Sequence, residues 1–185
     1  MARAFTQLAF SPSVKAAQTR YGVRRNGERL ESAEPARDRL SADLADFIAA
    51  ADSFFIATAS RDGWPYMQHR GGPPGFLKVL DECTLAFADY SGNKQYITVG
   101  NLAENAQVML FLIDYEQGRR LKIWGRGAVI DDDPVLLQRV RDADYPAEAE
   151  RLIRVGIEAW DLNCRQHFPK LYRAQPMSAQ PAAGS

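Results

Sequence analysis

Residues 65–96 read PYMQHRGGPPGFLKVLDECTLAFADYSGNKQY. A strand-type segment runs from Pro65 into a basic, glycine-rich turn, His69-Arg70-Gly71-Gly72. Further on, a second strand-type segment ends in a donor-rich loop, Ser91-Gly92-Asn93-Lys94-Gln95. Cation, hydroxyl, amide and free backbone N–H on two neighbouring loops are how a protein holds a phosphate monoester. Either element alone has a plainer reading. The glycines could serve only a tight hairpin, since glycine takes left-handed backbone angles cheaply, and Lys94 could be an ordinary surface lysine. The pair of loops together points to a phosphorylated cofactor.

Working outward, Phe54 to Ala59 is a short β-type run. The turn Arg61-Asp62-Gly63 carries the Asp-Gly hairpin signal and leads into a strand from Trp64 to His69. Gly75–Leu80 and Thr84–Ala88 read as two strands around Asp81-Glu82, and Val108–Asp114 and Leu121–Ile130 as two more around the turn at Glu116–Arg119. Ile97–Asn105 reads as a helix, with Asn101 and Glu104 in the spacing of a capping box. Pro12–Arg20 and Ser41–Ala51 also have helical character, the second through the stripe Leu44, Phe47, Ile48. Pro134–Ala143 and Ala147–Trp160 show helical periodicity, whereas Val23–Arg37 is polar and reads as a connector.

Six strands at close spacing with helices around them predict a mainly β, α+β fold. It is a small six-stranded barrel with peripheral helices, rather than alternating βαβ units. The expected organisation is an N-terminal helix and connector over 1–37, the barrel domain with C-terminal helices over 38–173, and a low-complexity, disordered tail over 174–185. There is no internal repeat.

The 185 residues, 46% of them hydrophobic, suffice for one well-buried domain. Lys+Arg and Asp+Glu number 23 each, so nothing draws the whole chain toward nucleic acid, and an anion site has to be local. No apolar run approaches the roughly 20 residues of a membrane span. The N-terminus lacks the continuous apolar core of a secretion signal. With only Cys83 and Cys164, a reducing cytoplasm is the expected compartment.

The order of these elements, with GWPYMQHRGG, TLAFADYSGNKQY, NLAENAQVML and LKIWGRGAVI, resembles the pyridoxamine 5′-phosphate oxidase-like flavoproteins. The resemblance spans roughly 52–131 and is most specific in the GNK loop and the NLAEN helix. It implies an FMN-binding split β-barrel that works as a homodimer, with FMN at the subunit interface. It places FMN contacts on Gln68, His69, Arg70 and Gly71, and a second phosphate element on Ser91, Gly92, Asn93, Lys94 and Gln95. A partner-chain contribution falls on the strand with Arg120, Lys122 and Trp124, which alternation puts on one face. True oxidases tend to carry a basic pair in the phosphate loop; here its first member is Asn93, and Arg70 is the candidate replacement.

Two departures argue against pyridoxamine phosphate as substrate. The first FMN strand ends in Gly71-Gly72-Pro73 without the oxidases' lysine, and their C-terminal Arg-x-His is replaced by Asn163-Cys164-Arg165-Gln166-His167. That segment, with Trp160, stands where a substrate pocket is expected: Trp160, Asn163, Cys164 and His167 are its candidates. Trp124 and Trp160 are equally candidates for plain core. Cys164-x-x-His167 has the spacing of a metal half-site, but zinc needs further ligands, and the other Cys and His are distant in sequence. A thiol poised by imidazolium and simple packing also remain open. Asp131–Asp133 point to different sides of the chain and suit a helix start better than a cation. No metal and no catalytic acid or base is expected.

The functional expectation is a flavin-dependent oxidoreductase acting on a small organic molecule, with NAD(P)H as a possible donor, although no GxGxxG fingerprint is present. The alternative is a non-enzymatic flavin- or heme-binding carrier or sensor on the same barrel. A pyridoxamine 5′-phosphate oxidase proper ranks last.

Overall fold

The computed structural model describes residues 5–32, 38–163, 168–169 and 171. Four helices lead: α1 (Phe5–Ala9), α2 (Pro12–Arg20), α3 (Arg24–Ser32) and α4 (Ala42–Ala50). Then come β1 (Ser53–Ala59), β2 (Pro65–Gly71), β3 (Lys78–Asp81), β4 (Thr84–Tyr90) and α5 (Ile97–Glu104). The chain closes with β5 (Gln107–Asp114), β6 (Arg119–Ile130), α6 (Pro134–Val140) and β7 (Ala149–Asn163).

Period-two burial builds the sheet. In β1, Phe54, Ile56 and Thr58 turn inward and their neighbours outward. The strands form one seven-stranded antiparallel sheet in the order β2-β1-β5-β6-β7-β4-β3. Among the described residues, hydrogen bonding does not close it into a barrel. It curls nonetheless: Arg70 on β2 reaches Asp89 on β4 at 2.6 Å, although these strands stand near opposite ends of the order. The concave face holds Phe54, Ile56, Phe87, Leu110, Leu121, Ile123 and Ile153, capped by the Leu44, Phe47, Ile48 stripe of α4. A smaller cluster, Ala86, Ala88, Leu152 and Val140, lies under α6. Strand β4 is thus buried on both faces, which explains its apolar run Leu85–Ala88.

Three expectations are corrected. Ala147–Trp160 is not a helix: β7 covers most of it and adds a seventh strand to the six expected. Leu152 and Ile153 serve the two opposite clusters, so with Val155 they mimic helical spacing. The β-branched Ile153, Val155 and Ile157 nevertheless alternate with exposed or half-exposed residues, and pairing with both β4 and β6 decides for strand. Val23–Arg37 is not merely a connector, because α3 forms there, with Arg24 bonded to Gln18 and to Glu31. Asn101 does not cap α5. It lies inside that helix and donates from Nδ2 to Thr58 Oγ1 at 2.9 Å, while Glu104 pairs with Arg61. The tail expected to be disordered, 174–185, lies outside the described residues.

Strands β6 and β7 pair along almost their whole length, interrupted by a bulge: Trp124 faces Ala159 but Gly125 faces Ile157, leaving Glu158 as the extra residue. A Cβ on Gly125 would stand 2.4 Å from the carbonyl oxygen of Gly156. Gly100, inside α5, has nothing within 4 Å of that position. Gly125→Ala is therefore expected to destabilise the fold by about 1–3 kcal/mol. Gly100→Ala is expected to stabilise it by about 0.4–1 kcal/mol. Urea unfolding of the two variants beside the parent checks both signs.

Candidate functional site

Alternation along β2 sorts the first group of candidates. Tyr66, Gln68 and Arg70 turn to one side and Pro65, Met67, His69 and Gly71 to the other. Gln68 and Arg70 line a small pocket of about 50 Å³. His69 does not: it stands across from Phe55, ring edge to face at 5.4 Å. Gly71 is likewise absent from the lining, with His69 3.2 Å from where its Cβ would be.

The second loop meets the first in that pocket. Gly92, Asn93, Lys94 and Gln95 line it, together with Tyr96 and Thr98 at the start of α5. Lys94 (φ 60°) and Tyr96 (φ 52°) are the only non-glycine residues with positive φ among the described residues. Held in that geometry, successive backbone N–H groups can form an anion-binding concavity. Such strain persists only where the surroundings enforce it, and it clusters at ligand sites. Asn93 shapes the loop, its Oδ1 accepting from the Gln95 N–H at 3.2 Å. Thr98 ties the loops together by donating to Gln68 Oε1 at 2.9 Å. Ser91 sits beside the pocket, its N–H donating to the Glu148 carbonyl at 2.9 Å.

Charge at the pocket is dense and nearly balanced. Asp89, almost fully buried, takes Arg70 at 2.6 Å on one oxygen and Arg151 at 3.2 Å on the other. Arg151 also reaches Asp131 at 3.0 Å and Glu150 at 3.1 Å, and its guanidinium lies 5.1 Å over the Tyr96 ring. Lys94 pairs with Glu150, whose other oxygen accepts from the Tyr96 hydroxyl at 3.3 Å. The bond to Glu150 raises the Lys94 pKa and, reciprocally, Lys94 lowers that of Glu150. Burial pulls the Arg151 pKa down, but its bonds to Asp89 and Asp131 outweigh that and the net shift is upward. One polar atom has no share in this network: Arg70 Nε is buried and makes no hydrogen bond.

Sequence reasoning did not single out Asp89, Glu150 or Arg151. A carboxylate directly after the apolar run of β4 was a visible signal for Asp89. Glu150 and Arg151 were hidden by the helical reading of β7.

The remaining candidates lie elsewhere. Arg120, Lys122 and Trp124 share a face of β6, as alternation requires, and this same chain covers it. Phe5 of α1 stacks on Trp124 at 6.2 Å, Asp161 stands 3.9 Å from Lys122, and Phe168 lies 5.4 Å from the Arg120 guanidinium. Trp160 packs against the main core and donates from Nε1 to the Arg39 carbonyl at 2.8 Å. Asn163 donates to Asp161 at 3.0 Å. Cys164 and His167 lie outside the described residues. No cluster of three or more His, Cys, Asp or Glu able to hold a metal occurs among the described residues.

A larger cavity, about 720 Å³, opens between α4, the start of β1 and the turn after β5. It is unsuited to phosphate. Asp43, Asp46, Asp52, Asp114 and Glu116 line it against one cation, Arg119, which is drawn over the Phe47 ring at 4.9 Å. Size and chemistry point to different places, and for an anion the chemistry decides.

No relative was found among curated protein sequences. Solved structures show the fold. HupZ of Group A Streptococcus aligns over 72% of this chain and 99% of its own, at 12% identity and TM-score 0.55. A conserved hypothetical protein from Mycobacterium tuberculosis aligns over 78% and 99%, at 14% identity and TM-score 0.51. A Clostridium acetobutylicum protein related to general stress protein 26 of B. subtilis, of the pyridoxinephosphate oxidase family, aligns over 65% and 85%, at 11% identity and TM-score 0.50. At such identities these matches speak to architecture alone. The sequence profile described as pyridoxamine 5′-phosphate oxidase matches residues 40–164, more than half of the chain, from two residues before α4 to one residue past β7. By that match, the chain belongs to the pyridoxamine 5′-phosphate oxidase family.

Proposed function

We propose that this protein binds FMN, holding the phosphate with Arg70, Lys94 and backbone N–H groups of the 91–96 loop other than those of Ser91 and Gln95, and acts as a flavin-dependent oxidoreductase on a small organic molecule. One observation carries the reading: Arg70, whose Nε is buried and unbonded, lines a pocket that Lys94 and a positive-φ loop complete. Buried polar groups are nearly always bonded, so an orphaned guanidinium nitrogen beside further donors suits an anion that supplies the missing acceptor. The donor set fits a phosphate monoester: guanidinium, ammonium and backbone N–H. A pocket of about 50 Å³ is far smaller than the ~300 Å³ that encloses a whole ligand. It takes a headgroup and leaves the ring system against the surface outside. FMN is preferred to FAD because these donors form a cradle for a terminal phosphate.

The flavin supplies the redox chemistry when bound, and the protein supplies binding, orientation and electrostatics. In this chain Gln68 and Thr98 fix the distance between the loops, Asp89 holds Arg70 in place, and Arg151 braces Glu150 and Tyr96. Chromatography of cofactor released after reconstitution tests the reading. FMN is expected; FAD, or no flavin at all, contradicts it. Bleaching by NADH or NADPH followed by reoxidation with an organic acceptor separates an enzyme from a carrier.

Lys94→Ala is expected to weaken FMN binding by about 1.5–3 kcal/mol, the worth of a hydrogen bond to a charged group. Flavin fluorescence titration reads the loss, and circular dichroism checks that the fold persists.

A homodimer is part of the same proposal. Trp64 and Met67, 77% and 65% exposed, present apolar surface on and beside the edge strand β2. A second copy covering this side would shelter the rings from water. Arg120, Lys122 and Trp124 could reach a partner's flavin only if α1 moved aside, because Phe5 occupies that face. Sedimentation at micromolar concentration is expected to give a dimer, and a flavin-loaded monomer would contradict it.

A further inference from the structure

We infer that Glu150 is a built-in competitor for the phosphate: it occupies Lys94 in the empty cradle and has to be displaced, so that β7 sets how tightly the anion is held. This rests on the cradle proposed above and concerns one residue the family resemblance did not point to. The Lys94 ammonium is bonded to a Glu150 oxygen. The second oxygen of Glu150 is held by the Tyr96 hydroxyl at 3.3 Å and by Arg151 at 3.1 Å. Two elements therefore fix the carboxylate where it faces the cation, and one of its anchors, Tyr96, belongs to the positive-φ loop itself.

The other charges on these elements do not relieve the competition. Arg70 is committed to Asp89, and Arg151 divides itself among Asp89, Asp131 and Glu150. Three cations meet three carboxylates. A phosphate entering this pocket gains Lys94 only as Glu150 loses it, and it then stands beside a carboxylate whose one remaining cation, Arg151, is shared with Asp89 and Asp131. Like charges at such range repel strongly where water is partly excluded. Because Lys94 lowers the Glu150 pKa, acidification toward neutrality does not release the cation. The competition persists from pH 6 to 8 and gives way only below the usual carboxylate range. The arrangement favours a ligand whose phosphate is doubly charged and whose ring system adds binding of its own, over free inorganic phosphate.

Glu150→Gln removes the charge and keeps the shape and the bond to Tyr96. Fluorescence titrations with FMN and with riboflavin, which lacks the phosphate, on the parent, Glu150→Gln and Lys94→Ala proteins test the inference. Glu150→Gln is expected to bind FMN at least tenfold more tightly than the parent, with riboflavin affinity unchanged. Unchanged or weaker FMN binding by Glu150→Gln, while Lys94→Ala still weakens it, overturns the inference and leaves the cradle standing. A parent that binds FMN and riboflavin equally, with neither variant altering either, overturns the cradle itself. Equal tightening of FMN and riboflavin in Glu150→Gln also overturns the inference, since the effect would not run through phosphate.

Discussion

The buried carboxylate of Asp89 is the constraint on which the site depends. Sitting on β4, it bonds Arg70 from β2 and Arg151 from β7. Strand β2 is one edge of the sheet and β4 lies next to the other. The ion pair spans the gap that backbone pairing leaves open, and it fixes the curl that sets the two loops side by side. A buried pair of this kind is weak evidence for net stability, because desolvating the charges offsets their attraction. Its effect here is geometric. It aims one guanidinium at the pocket and keeps the other behind the loop.

From that constraint the division of labour follows. The core needs only the alternation of the strands and the α4 stripe, and its buried carboxylates stand apart, Asp89 at the rim where β2, β4 and β7 converge and Asp161 near the end of β7. At that rim cations are supplied in excess of what a neutral pocket would need, then nearly balanced by carboxylates. In the empty cradle each guanidinium stands beside a carboxylate. The cradle still keeps one buried donor, Arg70 Nε, for an acceptor from outside. The larger, acid-lined cavity beside α4 has the volume of a ligand site but the wrong sign for phosphate. Sign, not size, separates the two.

Much of the fold was legible in the sequence, for identifiable reasons. The Asp62-Gly63 hairpin, the β1 alternation and the Leu44, Phe47, Ile48 stripe are local signals that tertiary structure did not override. Strand β7 was illegible because it is buried on both faces around Leu152 and Ile153, which erases the period of two at its start. Missing it also hid Glu150 and Arg151. Of the site candidates, Gln68, Arg70, Gly92, Asn93, Lys94 and Gln95 meet in one pocket. His69 and Gly71 turn to the other side of β2, an outcome that period-two alternation could have foretold. That α1 covers Trp124 was beyond reach, since a five-residue helix carries almost no sequence signal.

The central claim is that one phosphate group is held between Arg70 and Lys94. A crystal structure of the protein soaked or grown with FMN tests this most directly. The account predicts phosphate density in hydrogen-bond contact with Arg70 Nε and Lys94 Nζ, with Glu150 turned off the lysine. Phosphate bound elsewhere, with the Lys94–Glu150 pair intact, would contradict it.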